Sequence, residues 1–252
     1  MLDISIDHVY KTWKTSGGRE VSALEGASFN VPRGSFCCIV GPSGSGKSTL
    51  FDIIAGLIPA DEGQVLVGGK AVEGPGAERG VVFQGQSLFP WRTVQGNVEF
   101  GLAARGMGRA ERQKIARSFI ELVGLSGFED ALPSTLSGGM YQRASVARSL
   151  ATSPDILLMD EPFGALDAQS REMMQAELIR IWQSQGTTIL FITHSVQEAV
   201  FLADKIIVMS ARPGRVVSDM EVTLPRPRDR TGADFGQVMR DVYEHLHAPA
   251  VV

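Results

Sequence analysis

The sequence predicts an α/β chain built around a parallel sheet, and three observations lead there. Short unbroken apolar runs recur at Phe36–Val40, Gly80–Phe83, Ile156–Met159, Thr187–Ile192 and Lys205–Met209, as strands buried on both faces show. The first of them runs directly into Gly41-Pro42-Ser43-Gly44-Ser45-Gly46-Lys47-Ser48-Thr49, which fits G-x-x-x-x-G-K-[ST]. Apolar residues at helical spacing follow at once, Leu50, Ile53, Ile54 and Leu57, completing a strand, loop and helix.

Taken in order, the amino-terminal stretch to about Pro32 alternates, with Leu2, Ile4, Ile6 and later Ala27, Phe29, Val31, and predicts half-buried antiparallel strands. The glycine-rich segment comes next, and its chemistry follows from geometry. Glycines let backbone N–H groups close around phosphates, and the helix N-terminus adds its positive end. Lys47 then reaches the β and γ oxygens and the Ser48 hydroxyl ligates Mg²⁺, so a nucleoside triphosphate is the expected ligand. From about 87 to 153 the pattern turns helical, for instance Ile115, Phe119, Leu122, Val123 stopping at Gly124, which predicts a helical subdomain within the sheet protein. Beyond Met209 come a turn signal at Arg212-Pro213-Gly214, a Pro/Arg connector from Leu224 to Arg230, and a closing helix over the rest of 224–252. That helix has Phe235, Val238, Met239, Val242, Tyr243 and Leu246 on one face.

A second nucleotide element is Ile156-Leu157-Leu158-Met159-Asp160-Glu161-Pro162. Four apolar residues ending in a carboxylate describe a strand that delivers Asp160 to its carboxyl end, where open α/β sheets bind ligands. Asp160 is placed to hold Mg²⁺ through water. Glu161, one residue on, can accept the proton of the water that attacks the γ-phosphate.

Composition sets limits on the rest. The 252 residues are enough for a sizeable core, one domain or one domain with a subdomain. With 24 basic against 28 acidic residues and a formal net charge of −4, there is no electrostatic footprint for nucleic acid. The amino end lacks the pattern of a signal peptide, and no apolar stretch approaches the ~20 residues of a membrane span, so a cytoplasmic chain is expected. Cys37 and Cys38 are adjacent in a predicted strand, their side chains on opposite faces, which favours packing over a disulfide or a metal site.

Leu136-Ser137-Gly138-Gly139-Met140-Tyr141-Gln142-Arg143 narrows the class. Ser-Gly-Gly before the helical pattern Ala144, Val146, Ala147, Leu150 is another helix N-terminus able to meet an anion. Together with the other two motifs it resembles the LSGGQ-type signature of ATP-binding cassette (ABC) ATPases, and the resemblance spans almost the whole chain. It implies the ABC cassette fold over 1–252, with ATP and Mg²⁺ as ligands. It also implies head-to-tail pairing with a second copy or a homologous ATPase, in which Ser137, Gly138 and Gly139 of one subunit cover the γ-phosphate on the P-loop of the other.

Further positions carry over one at a time. Trp13 resembles the aromatic that stacks on adenine, with Tyr10 the competing choice. Gln84 resembles the Q-loop glutamine that touches Mg²⁺ and water, its amide able to donate and accept. His194 resembles the switch histidine at the γ-phosphate, and Asp167 the D-loop residue linking the two sites. The resemblance thus implies Glu161, His194, Gln84 and Lys47 as catalytic, and Ser48, Gln84 and Asp160 as metal-binding. His8, His245 and His247 match no motif.

Pro75–Gln84, Leu88-Phe89-Pro90-Trp91, Thr193–Asp204 and Leu224–Asp229 are similar to ATPase subunits of nitrate, sulfonate and taurine importers. This implies a peripheral position at the cytoplasmic face of the membrane, an integral-membrane permease as partner, and, indirectly, an external solute-binding protein. Tyr141 and Asp52 depart from the commoner family pattern at positions outside the chemistry. A soluble ABC ATPase outside transport is the other class these motifs admit, against which stand the single cassette and the lack of sustained heptads.

Overall fold

Alternating side chains make the amino-terminal segment extended. Strand β1 (Ile4–Lys14) buries Ile4 and Ile6, and register shifts between Ile6, Val9 and Lys11 keep the later two inward as well. The computed structural model describes residues 1–14, 17–85 and 87–247, which form two compact units, Met1–Gly76 with the chain from Gly186 onward, and Ala77–Gln185.

In the first unit β1 pairs antiparallel with β2 (Glu20–Val31), Ile4 opposite Val31 and Lys14 opposite Glu20. Strand β3 (Phe36–Val40) is buried at every residue, and its loop leads to helix α1 (Lys47–Ala55). Strands β4 (Glu62–Val67) and β5 (Lys70–Ala71) complete an antiparallel sheet in the order β2-β1-β4-β5. The sequence periodicity carries the first helix as far as Leu57, but α1 ends earlier. Gly56 enters the left-handed region at φ 77°, Gly56 N donates to Ile53 O (3.0 Å) and Leu57 N to Asp52 O (2.8 Å), leaving Leu57 beyond the helix and 46% exposed.

The second unit opens with β6 (Arg79–Val82), followed by α2 (Val94–Ala104), α3 (Arg109–Leu122), a single 3₁₀ turn at Pro133–Thr135, and α4 (Gly138–Ala151). Strand β7 (Ile156–Asp160) and helix α5 (Ala168–Gln185) close it. Strands β6 and β7 are parallel, Arg79 opposite Ile156. Between 87 and 153 the described residues hold these helices and no strand. Thr93 caps α2 by accepting from Gly96 N at 3.0 Å. Helix α3 buries Ala116 and Ile120, followed by Val123 at its C-cap, so Ile115, Phe119 and Leu122 flank the buried line and do not form it.

Back in the first unit, β8 (Thr188–Thr193), α6 (Val196–Leu202), β9 (Lys205–Met209), β10 (Val216–Glu221) and α7 (Ala233–His247) follow. Strand β3 lies between β8 and β9 and is parallel to both, while β10 adds antiparallel to β9. Phe36 and Phe191 meet across the first pairing with ring centroids 5.8 Å apart. No continuous apolar run announces β10, because half of its residues face solvent.

The Pro/Arg connector ties this unit together. Arg228, 8% exposed, donates to the carbonyls of Val200 (2.7 Å), Ala203 (2.6 Å) and Val222 (3.3 Å). Arg226 donates to Leu202 O (2.6 Å) and Asp204 Oδ1 (2.8 Å), and Asp204 Oδ2 accepts from Phe36 N (3.1 Å) at the start of β3. Two guanidinium groups therefore satisfy the last carbonyls of α6, favoured by the negative end of its dipole. Burial pushes the Arg228 pKa down to about 10.

Two outcomes are expected. Arg228→Met keeps the apolar stem but strands several buried carbonyls, and chemical denaturation should register a loss of about 3 kcal/mol; a midpoint equal to the parent's would show that the clamp contributes nothing. Cys37 and Cys38 are fully buried, and burial raises both thiols far above their ordinary range. A thiol reagent at pH 8 should therefore modify neither in the native chain and both after unfolding.

Candidate functional site

Each feature of the phosphate loop has a local cause. Strand β3 ends at Val40, and Gly41 leaves no room for a side chain: a Cβ built there would lie 2.8 Å from Ser45 Oγ and 2.9 Å from Met209 O. Gly46, the N-cap of α1, holds φ 81° with its Cβ position 2.4 Å from Ala23 O, so only glycine fits at the turn into the helix. Lys47 starts α1 and is buried, its Nζ donating to Gly41 O (2.8 Å), Pro42 O (2.9 Å) and Ser45 Oγ (3.3 Å). The ammonium is thus held inside the curve of Gly41, Pro42, Ser43, Gly44 and Ser45, with Ser48 and Thr49 in the first turn of the helix behind it.

Trp13 and Tyr10 on β1 separate here. The Trp13 indole N–H points at Thr49 Oγ1, 3.4 Å away, and Lys11 Nζ lies 5.4 Å from the centre of its ring, which is 44% exposed as a residue. Tyr10 lies across Gly26, its hydroxyl 2.9 Å from the Cβ position of that glycine. The structure sets Trp13 beside the first turn of α1 and Tyr10 over Gly26.

His194 follows β8 and is exposed, between two anchored neighbours. Thr193 Oγ1 donates to Glu198 and accepts from Ser195 N (3.0 Å), and Ser195 Oγ caps α6 by accepting from Glu198 N (3.3 Å). This network fixes the backbone on both sides of His194.

In the second unit β7 delivers Asp160, 8% exposed, at its last position. Glu161 then adopts φ 44°, a left-handed conformation that costs an ordinary side chain about 1–3 kcal/mol and commonly marks a functional position. Its carboxylate Oε2 accepts from Gln84 Nε2 at 3.1 Å. The Gln84 amide therefore orients Glu161 with its nitrogen and keeps its oxygen as an acceptor of the type a hard cation takes.

The chain turns on, with Gly164 N donating to Glu161 O (3.1 Å) and Leu166 N to Phe163 O (3.1 Å). Asp167 Oδ1 accepts from Ser170 N (2.9 Å) at the start of α5. Hydrogen bonds from the Ser170 side chain and then its backbone hold the Asp167 carboxyl below its ordinary pKa, so this exposed cap stays charged well into mild acid. Ser137 caps α4 by accepting from Met140 N (3.3 Å). Gly138 and Gly139 lie on the segment before Asp167: the Cβ position of Gly139 is 3.1 Å from Leu166 Cδ2 and that of Gly138 is 3.9 Å from Ala165 Cβ. Gly138 and Gly139 at the start of α4 thus pack against the segment that leads into Asp167.

Two residues gain a role the sequence does not reveal. Tyr141, the departure from the family pattern, accepts through its hydroxyl from Leu88 N at 2.5 Å. Arg148, two helix turns further, donates to Ser87 O (2.6 Å) and Ser87 Oγ (3.1 Å) with its guanidinium 5.7 Å from the centre of the Phe89 ring. The signature helix is by this route tied to the segment just after Gln84. Burial lowers the Arg148 pKa. Only a helix-spacing argument joined to the loop could have suggested the pair.

A glycine turn enclosing a lysine after a buried parallel strand, and a buried carboxylate followed by a strained one, define a P-loop ATPase. The family model described as ABC transporter matches residues 24–164, and the chain belongs to the ABC transporter family as its ATPase cassette. It is 49% identical to the taurine import ATP-binding protein TauB of Rhizobium johnstonii over 97% of this chain and 97% of that protein. With the nitrate import ATP-binding protein NrtD of Synechocystis sp. it shares 51% identity over 84% of this chain and 81% of that one. A dimeric, post-hydrolysis structure of the ATP-binding cassette MJ0796 bound to ADP and Pi superposes with a TM-score of 0.80 at 31% identity, covering 88% of this chain and all of that one.

Trp13→Ala should weaken ATP binding about tenfold, the scale of losing one aromatic stacking partner, while Tyr10→Ala should stay within about twofold of the parent. Equilibrium titration with ATP checks both, and the reverse order would assign the stacking role to Tyr10.

Proposed function

We propose that this chain is the ATP-hydrolysing subunit of an importer, and that two copies close head to tail on two nucleotides to drive a membrane permease. The observation that carries the hydrolytic part is Glu161, held in a left-handed backbone with its carboxylate on the Gln84 amide. Such strain persists where neighbouring structure over-determines it.

In this reading Trp13 stacks on adenine, and the backbone N–H groups from Gly41 to Thr49, with Lys47, receive the phosphates. Ser48, Asp160 and the Gln84 oxygen are hard oxygen donors of the kind that suit Mg²⁺ shared with phosphate. When bound, Mg²⁺ neutralises charge on the β- and γ-phosphate oxygens. Glu161 takes the proton of the attacking water as the water oxygen bonds to the γ-phosphorus. The bond to the β-phosphate oxygen breaks and ADP leaves with the electron pair. His194 contacts the γ-phosphate, and Ser137, Gly138 and Gly139 of a second copy cover it, with Asp167 linking the two sites. Positioning and charge stabilisation supply most of the rate in such a transfer.

The import reading draws on the taurine and nitrate import proteins to which the chain is similar over most of its length. The solute class is accordingly a small sulfonate or oxyanion, admitted by the permease and delivered by an external binding protein. No helix among the described residues is long and apolar enough to cross a membrane, as suits a peripheral subunit at the cytoplasmic face. Trp91, 74% exposed, and Phe100, 40% exposed, offer an aromatic surface for a permease helix after the Gln84 segment.

Glu161→Gln should cut phosphate release by at least ~100-fold while ATP affinity stays within about threefold. Release at the parent rate would remove Glu161 from the mechanism. Capture of the tagged chain from detergent-solubilised membranes should bring down a multi-span permease, and activity recovered with no membrane partner would end the import reading.

A further inference from the structure

The hairpin between β9 and β10 is folded onto the phosphate loop at three points. Met209 O stands 2.9 Å from the Cβ position of Gly41, the Cβ position of Gly214 is 2.2 Å from Ser45 O, and that of Gly44 is 3.0 Å from Arg212 Nε and 3.4 Å from Arg212 Nη2. The hairpin is also stiff. Ser210 Oγ donates to Pro213 O (2.9 Å) and accepts from Arg215 N (3.0 Å), while Ser210 N donates to Arg215 O (2.9 Å). Gly214 is bonded on both sides to β2, its N–H to Ala23 O (3.1 Å) and its carbonyl to Glu25 N (3.0 Å).

Two arginines on this hairpin meet different fates. Arg215 is neutralised by Glu25 at 2.7 Å. Arg212 is exposed and has no carboxylate partner among the described residues, yet its guanidinium is set against the backbone of Gly44. A flexible, fully solvated arginine would normally sample open water or pair with a nearby acid. Here a braced hairpin presents a charge with no carboxylate partner among the described residues to Gly44 of a loop that already holds Lys47 within it.

We propose that Arg212 is a second cation of the nucleotide site, strengthening binding in proportion to the phosphate charge of the ligand. The proposal rests on reading Gly41–Thr49 as the ATP site. An exposed unit charge beside a polyphosphate site changes affinity by about five- to twentyfold, and salt screens part of it. Arg215 is the internal contrast: equally close in sequence, but with its charge already spent on Glu25.

The test is equilibrium titration of ATP, ADP and adenosine into the full chain, in a Glu161→Gln background that suppresses turnover. Arg212→Ala should weaken ATP about five- to twentyfold, ADP less, and adenosine not at all, with the differences shrinking at ~0.5 M salt. Arg212→Lys should recover most of the ATP affinity. An ATP Kd within twofold of the parent in Arg212→Ala overturns the proposal. So does an equal loss for ATP and adenosine, or a failure of lysine to rescue, since either would assign the effect to hairpin packing. Should the parent itself fail to bind ATP, both this inference and the ATP-site reading fall; should the parent bind and only the Arg212 contrast vanish, this inference falls alone.

Discussion

The close approach of the Ala23 carbonyl to Gly46 sets the terms for the first unit. A loop that must turn its N–H groups inward around an anion has to fold tightly, and the tightness is enforced from outside by backbone: Ala23 O at Gly46, Met209 O at Gly41, Gly214 at Ser45 O. None of these neighbours is a flexible side chain that could give way. The loop backbone is therefore braced by β2 and by the β9–β10 hairpin, which limits the ordering left for a ligand to impose. Lys47 completes it from within, its ammonium satisfied by the loop's own carbonyls.

Support for that loop reaches deep into the same unit. Phe36 N, where β3 begins, donates to Asp204, and Asp204 is held by Arg226 from the carboxy-terminal connector. Arg228 from that connector secures the end of α6, whose amino end is locked by Ser195, Glu198 and Thr193 around His194. One short Pro/Arg segment thus anchors both the strand that feeds the glycine-rich loop and the helix that follows His194. Prolines suit this task because they leave the connector little conformational freedom to lose.

The second unit solves a different problem, that of holding acids and a helix start in one place. Glu161 is strained and hydrogen-bonded to Gln84. A few residues later the chain packs Ala165 and Leu166 beneath Gly138 and Gly139, where any larger residue would crowd Leu166. Tyr141 and Arg148 fasten the same helix to Ser87 and Leu88. The Ser137–Gly139 helix start, the segment before Asp167 and the segment after Gln84 are thus tied by these contacts within this unit.

Much of this was legible in the amino-acid order because the physics is local. A buried parallel strand needs an unbroken apolar run, a phosphate loop needs glycines and a lysine at fixed spacing, and a helix start needs Ser137 or Thr93 at its cap; each lies within a few residues of what it acts on. Where the reading failed, the cause was equally local: Leu57 continued the period, but the left-handed Gly56 had already ended the helix. What only the tertiary structure decided is everything carried by contacts between distant segments: Trp13 rather than Tyr10 beside Thr49, Tyr141 reaching Leu88, Arg228 under α6, and Arg212 against Gly44. No spacing rule encodes those meetings, because they depend on how twisted strands and helices bring remote backbone within a few ångströms, and that is set by packing of the whole unit.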